Sequence, residues 1–161
     1  MVSQHKRNIT CYRIADSRYP IFSGDGAQRI GGRWNLVGRP AIYASQNLSC
    51  AMLELRVHLN GIPLPNTHKY IEITSSSTVS TEELSLKVFQ SWDISSGANS
   101  KEYGTKWLEE KRSLILIVPS IVIPQEKNFI INPNHQEFEK LKASKPRSMA
   151  WDKRLFSDSS T

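Results

Sequence analysis

The longest uninterrupted apolar run in the chain, Leu114-Ile-Leu-Ile-Val118, is only five residues long. A helix that spans a bilayer needs roughly 20 such residues, so no membrane span is expected. A short, continuous, β-branched run reads instead as a strand buried on both faces, inside a sheet rather than at its edge. Such a strand demands apolar cover on two sides. The 161 residues are 39 % hydrophobic and 22 % charged, enough to build a core for one domain of ordinary size and unlike a disordered chain.

Other segments fit around that strand. Cys11–Ile14 and Pro40–Ala44 read as short strands, Lys69–Thr74 alternates like a half-buried one, and Phe129–Ile131 is stopped by Asn132-Pro133. Asn47 or Ser49 can cap a helix that carries Ala51, Met52, Leu55 and Leu59 at helical spacing and ends at Gly61-Ile-Pro-Leu-Pro65. Ser100–Lys111 reads as a second helix with Tyr103 and Trp107 on one face, and Phe138 and Leu141 mark a short third. Ser75–Ser100 reads as serine-rich loops around an apolar strip from Leu84 to Trp92, and Trp151–Phe156 as a closing strand. There is no repeat, low-complexity tract or linker. The expectation is a single compact α+β domain over 1–161, its core at about 11–156 and its ends frayed, with central mixed β-sheets and short flanking helices.

Two cysteines, Cys11 and Cys50, cannot make a disulfide scaffold or a four-ligand zinc site, and His5, His58, His68 and His135 lack ligand spacing, so no metal site is expected. No apolar segment follows the basic N-terminal residues, so no secretory signal is visible and a cytoplasmic location is expected. The net charge of +6 (21 basic minus 15 acidic) suggests an anionic partner without specifying nucleic acid.

The chemistry concentrates between Arg13 and Glu54. Five of the ten arginines and none of the eleven lysines lie between Arg13 and Arg39, and five of the eight glycines lie between Gly24 and Gly38. A solvated basic surface uses both cations; arginine alone suits a phosphate or carboxylate gripped at two oxygens. Glycines let backbone N–H groups approach an anion. Arg29-Ile-Gly-Gly-Arg33-Trp34-Asn35 therefore reads as an anion-binding loop with an aromatic wall, or else as a surface loop whose arginines pair with carboxylates. Gly24-Asp-Gly26-Ala-Gln-Arg29 is not a dinucleotide fingerprint: arginine replaces the third glycine and no helix is evident after it. Glu54 is the only acid between Asp25 and Glu72 and sits among Ala51, Met52, Leu53 and Leu55. A carboxylate there is expected to be partly buried. It can stabilise an oxocarbenium-like sugar or position a ribose hydroxyl, or it can simply pair with Arg13 or Arg33. Tyr43 can stack on a base or nicotinamide ring, or be structural. Ser120, in Val118-Pro-Ser120, stands at a strand end where sites often form, or is only a turn residue.

Tyr12-Arg13, Gly31-Gly32-Arg33-Trp34-Asn35, Ile42-Tyr43-Ala44-Ser45, Ala51-Met-Leu-Glu54, Val118-Pro-Ser120, Asn132-Pro-Asn-His135 and Asp152-Lys-Arg-Leu155 occur in that order. Together they resemble the RES domain, a family named for an arginine, a glutamate and a serine. The resemblance implies a bacterial type II toxin with a fold similar to ADP-ribosyltransferase toxins such as diphtheria toxin. It implies cleavage of the nicotinamide–ribose bond of NAD⁺ by hydrolysis or phosphorolysis, with some members ADP-ribosylating a protein, and a helix-turn-helix antitoxin covering the site. NAD⁺ is then a substrate, with inorganic phosphate as a co-substrate if phosphorolysis applies, and no cofactor is required; neither membrane nor direct nucleic-acid binding is implied.

By the same resemblance Arg13 and Arg33 hold the NAD⁺ phosphates and Tyr43 packs at the nicotinamide end. Glu54 supports the ribosyl cation, and Ser120 bonds substrate or holds Glu54 and an arginine. Arg13, Glu54 and Ser120 are the catalytic candidates; Tyr12, Gly32, Arg33, Trp34, Tyr43 and Asn35 are the substrate-binding ones. Arg29 or Arg39 is a further basic candidate for an acceptor phosphate. The final motif departs from the family in carrying Lys153 where proline is usual, and Ser144-Lys-Pro-Arg-Ser148 is unusually basic. A basic ribonuclease-type toxin is the reading from another class, though no convergent His/Lys/Glu set supports it.

Overall fold

Leu114–Val118 lies where its composition requires. In a computed structural model that describes residues 2–156, it forms most of strand β6 (Ile115–Pro119), in which every residue is buried. The eight strands are β1 (Val2–Arg7), β2 (Thr10–Asp16), β3 (Ile42–Ser45), β4 (His68–Ser75), β5 (Val79–Leu84), β6, β7 (Lys127–Ile131) and β8 (Leu141–Ala143). They make one sheet in the order β1-β5-β6-β7-β3-β2-β4-β8, in which only β5 and β6 run parallel. Four helices, α1 (Asp25–Ile30), α2 (Leu48–Leu59), α3 (Leu86–Gln90) and α4 (Ala98–Glu110), cover it, so the domain is α+β as expected, with one mixed sheet in place of several.

Alternation along the inner strands explains the continuous apolar run. Ile115 and Ile117 of β6, with Phe129 and Ile131 of β7, enter one buried cluster; Leu116, Val118 and Ile130 enter another. The first cluster also holds Cys11, Ile71 and Ile73, so the β2–β4 half of the sheet curls across the face of the other half. The second is covered by Phe89 of α3 and by Trp107 and Leu108 of α4.

The curl has a weak point. β2 and β3 share a single paired position, Tyr12 with Ser45, whereas β2 and β4 pair along seven. The two strands splay beyond that point and leave a cleft between them. α2 flanks it, started by Asn47, whose side chain accepts from the Cys50 N–H at 2.8 Å, and ended by Asn60 and Gly61 at positive φ (44° and 85°).

Five local features differ from the expectation. Residues 2–7 form β1, missed because its mainly polar, basic side chains lie along an edge strand. A helix does follow Gly24: the α1 turn is short and carries no buried residue, so no apolar period announced it. Within the serine-rich stretch, Val79–Leu84 is β5. Trp151–Phe156 is not a strand; Asp152 caps a 3₁₀ turn at Lys153–Leu155. The short helix expected at Phe138 is also 3₁₀, over Phe138–Lys140. Of the tail expected to fray, 157–161 lies outside the described residues.

Glu137 ties that last turn to the sheet. Its carboxylate accepts from the Ser80 N–H (2.9 Å), the Ser80 hydroxyl and the Lys140 ammonium (3.0 Å). Burial pushes its pKa up, but these donors outweigh burial and hold it near 2. Because the folded value lies below the ordinary 4.5, the stabilisation is complete above that pH and is lost as pH falls towards 2. Wild type is therefore expected to lose on the order of 1–3 kcal/mol across this window. In Glu137→Gln, acid unfolding followed by circular dichroism is expected to lose that component of the pH dependence.

Candidate active site

The splay between β2 and β3 forms a cleft of ≈ 470 Å³. Its walls come from β2 (Tyr12, Arg13), the loop after α1 (Gly32, Arg33), β3 (Tyr43) and α2 (Glu54). Residues separated by up to 42 positions in the chain thus meet in one cavity, and the two arginines and the lone acid share it.

Glu54 does not pair with an arginine. Its Oε1 accepts from the Ser120 hydroxyl and from Asn128 Nδ2, both at 2.6 Å. The Ser120 Oγ in turn accepts from the Ile123 N–H at 3.0 Å, so its one proton is committed to Glu54. Ser120 is 0 % exposed. It therefore holds Glu54 from behind, holds no arginine, and has no proton left for a ligand. Oε2 of Glu54 has no hydrogen-bond partner among the described residues, and Glu54 lines the cleft.

Arg13 braces the split. Its Nε donates to the Ile21 carbonyl and its Nη1 to the Tyr43 carbonyl of the facing strand, each at 2.8 Å. Burial draws the guanidinium pKa down to about 10, against a smaller upward pull from Tyr43, which leaves it a cation at neutral pH. Nη2 has no protein partner among the described residues.

Arg33 donates from Nη1 to the Ile94 carbonyl at 3.0 Å and leaves Nε and Nη2 without protein partners among the described residues. Its guanidinium lies against Gly97, where an added Cβ would sit 3.2 Å from Nη1 and where φ is +65°. The positive φ calls for glycine, whereas the guanidinium end could shift by a few tenths of an ångström.

The loop between them is rigid because it is bonded from inside. The Tyr43 hydroxyl accepts from the Trp34 N–H (3.0 Å) and donates to Asn35 Oδ1 (2.6 Å). Burial pushes that phenol far up, so it stays a neutral donor. Asn35 Nδ2 bonds the carbonyls of Ala27, Leu36 and Arg39. Asn35 is fully buried and braces the loop; it does not line the cleft. At Gly32 a Cβ would come within 2.6 Å of the Tyr43 hydroxyl, so this glycine is required by contact rather than by backbone angle. Trp34 touches the cleft but its ring is buried, stacked on Phe89 at 5.9 Å and tilted against Trp92 at 6.3 Å. Tyr12 lines the wall and donates to Glu72 at 3.2 Å.

Neither Arg29 nor Arg39 lines the cleft, and Arg39 is paired with Glu109 at 2.6 Å. Asn132 and His135 are buried structural residues: Asn132 Nδ2 holds the Leu108 carbonyl, and His135 Nδ1 accepts from the Glu137 N–H. Sequence reading missed Asn128, which no motif marks, and His58, which lines the cleft one helical turn after Glu54. The four-residue spacing from Glu54 was the available signal. Among the described residues no group of three or more His, Cys, Asp or Glu is disposed to hold a metal ion, and no helix is long and apolar enough to cross a membrane. Cys11 and Cys50 are buried and unpaired with each other.

Residues 10–152 match the family described as RES domain. A curated relative from Sphingobium sp. (strain YBL2), "Prs ADP-ribosylating toxin", is 38 % identical over 139 residues, covering 83 % of this chain and 85 % of its own. "Toxin Res" of Yersinia enterocolitica is 36 % identical over 152 residues, covering 89 % and 97 %. The fold is shared with MbcT in the crystal structure of the Mycobacterium tuberculosis MbcT–MbcA toxin–antitoxin complex (TM-score 0.70, 17 % identity, 91 % of this chain and 86 % of that one). A stretch of 47 residues (29 % of this chain, 25 % of the relative) is 43 % identical to the M. tuberculosis protein named NAD(+) phosphorylase MbcT. With a family match over nearly its whole length and relatives of this kind, the chain belongs to the RES domain family.

Proposed function

We propose that this protein is the toxin of a toxin–antitoxin pair and that it consumes NAD⁺ by breaking the nicotinamide–ribose bond. The observation that carries the reading is Glu54: one carboxylate oxygen is pinned by Ser120 and Asn128, the other has no partner among the described residues, and the cleft that Glu54 lines is lined also by Arg13 and Arg33. Nicotinamide in NAD⁺ is already a cationic leaving group. The C–N bonding pair departs with it, nicotinamide leaves neutral, and no general acid is needed. What the site must supply is negative potential at the ribosyl carbon and a grip on the pyrophosphate, which one carboxylate and two arginines provide. Attack by water yields ADP-ribose and a proton; attack by inorganic phosphate yields ADP-ribose 1″-phosphate. NAD⁺ enters as substrate, with no resident cofactor in the scheme.

The relatives support the toxin assignment and leave the acceptor open between two chemistries, phosphorolysis and protein ADP-ribosylation. The second has its own support, since the relative named for it matches over 83 % of this chain. Incubation of the purified protein with labelled NAD⁺, with and without phosphate, and with cell lysate, separates them. Free ADP-ribose or its phosphate marks glycohydrolase or phosphorylase activity; label on a protein band marks the transferase. Intact NAD⁺ in every arm defeats the proposal.

An antitoxin of the helix-turn-helix type is the proposed partner. The neighbouring fold was determined in complex with an antitoxin, and Ile30 at the cleft rim is 83 % exposed, an apolar side chain that a covering protein would bury.

Arg33 gives a test of pyrophosphate binding. Lysine keeps the charge but has one nitrogen, which cannot both hold the Ile94 carbonyl and fork onto a phosphate. Arg33→Lys is expected to raise KM for NAD⁺ about tenfold with little change in kcat, read in steady-state kinetics.

A further inference from the structure

The carboxylate of Glu54 is aimed by a second set of residues that no motif announces. Asn128 sits on β7, the strand paired with β3, and joins Glu54 to the sheet. Its amide is held from both ends. Oδ1 accepts from the Ser45 hydroxyl at 2.8 Å and lies 3.8 Å from the Cys50 thiol sulfur; Nδ2 donates to Glu54 Oε1 at 2.6 Å. Burial pushes the Cys50 thiol up to about 11, so at neutral pH it keeps its proton, for which Asn128 Oδ1 and Glu126 are both acceptors. The Glu54 carboxylate can only accept, so the amide turns its NH₂ towards Glu54 and its oxygen towards Ser45 and Cys50.

We infer that Asn128 is a positioning residue for the reaction: locked by Ser45 and Cys50, it acts with Ser120 to hold Oε1 of Glu54 and leave Oε2 for the ribosyl cation. The inference rests on the reading of Glu54 given above. Ser120 alone would leave the carboxylate free to rotate about its one bond; the second donor, from a different strand, fixes the plane. Both donors are neutral, so the negative charge on Glu54 is oriented without being neutralised. An arginine in the place of Asn128 would hold the carboxylate as firmly but cancel the potential that the cleft needs.

The test is Asn128→Asp, nearly isosteric, which turns the donor facing Glu54 into a second acid. Two carboxylates at this distance share a proton, so the pair holds that proton to higher pH than an ordinary carboxylate. The other titratable groups around Glu54 are unchanged by the substitution: Tyr12 and Arg13 on β2, Arg33, Tyr43 on β3, Cys50 and His58 on α2, and Glu126, which acts on Cys50. The expected result is a fall in kcat of about a hundredfold at pH 7, a smaller change in KM for NAD⁺, and an acidic limb of the kcat–pH profile moved up by about one unit or more. A side chain out of contact with Glu54 would not move that limb. Unchanged kcat and limb in folded variant protein overturn the inference.

Should Asn128→Asp not fold, Ser45→Ala serves. It removes one lock on the amide, and kcat is expected to fall severalfold, with wild-type kcat as the contrary result. Carbon-detected NMR of the Glu54 carboxyl, without substrate, separates this inference from the NAD⁺ reading. A raised titration midpoint in Asn128→Asp supports the positioning even if NAD⁺ is not consumed. An unmoved midpoint defeats it even if NAD⁺ is.

Discussion

Glu54→Gln is expected to lower kcat for NAD⁺ consumption by about a thousandfold while leaving the fold intact. A carboxylate about 4 Å from a developing positive charge contributes about 4 kcal/mol at an effective dielectric near 20, which is about a factor of a thousand in rate. Glutamine preserves what surrounds the charge. Its Oε1 can still accept from Ser120 and Asn128, and its NH₂ takes the place of the oxygen that has no partner among the described residues. The variant thus removes charge and little else, and KM for NAD⁺ is expected to change much less than kcat, because the pyrophosphate contacts come from the arginines. Thermal melting should match wild type. Undiminished NAD⁺ consumption in such folded protein would show that Glu54 does not act through its charge.

The residues of this site were legible to different depths, for physical reasons. Glu54 announced itself as one acid in a long acid-free, apolar neighbourhood, because the cost of burying a carboxylate makes such a placement rare without a purpose. Its partners were not legible. The sequence left open an ion pair with Arg13 or Arg33, and the structure gives neutral donors instead, from strand ends 66 and 74 positions away. Nothing local in a serine after proline, or an asparagine ahead of Phe129-Ile-Ile131, encodes that meeting.

The arginine bias between Arg13 and Arg39 pointed to an anion site, and two of its five members, Arg13 and Arg33, line the cleft. Arg18 and Arg39 pair with Asp16 and Glu109, and Arg29 is exposed away from the cleft. Composition cannot tell a forked grip on substrate from one on a carboxylate. For the fold, the inner strands were readable because burial on two faces leaves an apolar run. β1 lies at an edge and the Lys153–Leu155 turn is mostly exposed, so neither carries such a signature.

Gly104 shows how far packing can override local preference, and it yields the second large effect. In an exposed helix interior, glycine to alanine stabilises by about 1 kcal/mol. Gly104 lies in the middle of α4, where an added Cβ would fall 2.1 Å from the Trp34 carbonyl oxygen, 2.8 Å from its carbonyl carbon and 2.9 Å from its Cβ. None of these atoms is the end of a flexible side chain, so the helix and the cleft loop must separate. The separation strains the Thr105 hydroxyl's bond to the Leu36 N–H (3.0 Å) and the stack of Trp34 on Phe89. Overpacking of this kind costs about 1–3 kcal/mol or more, which exceeds the helical gain. Gly104→Ala is therefore expected to lower Tm by several degrees and, because Arg33 precedes Trp34 in that loop, to raise KM for NAD⁺ in the protein that remains folded. A raised Tm, as an unpacked helix would give, would mean that α4 does not press on the loop. The Arg33 side of the cleft would then be held by the Ile94 and Gly97 contacts and by the Tyr43–Asn35 bonds inside the loop.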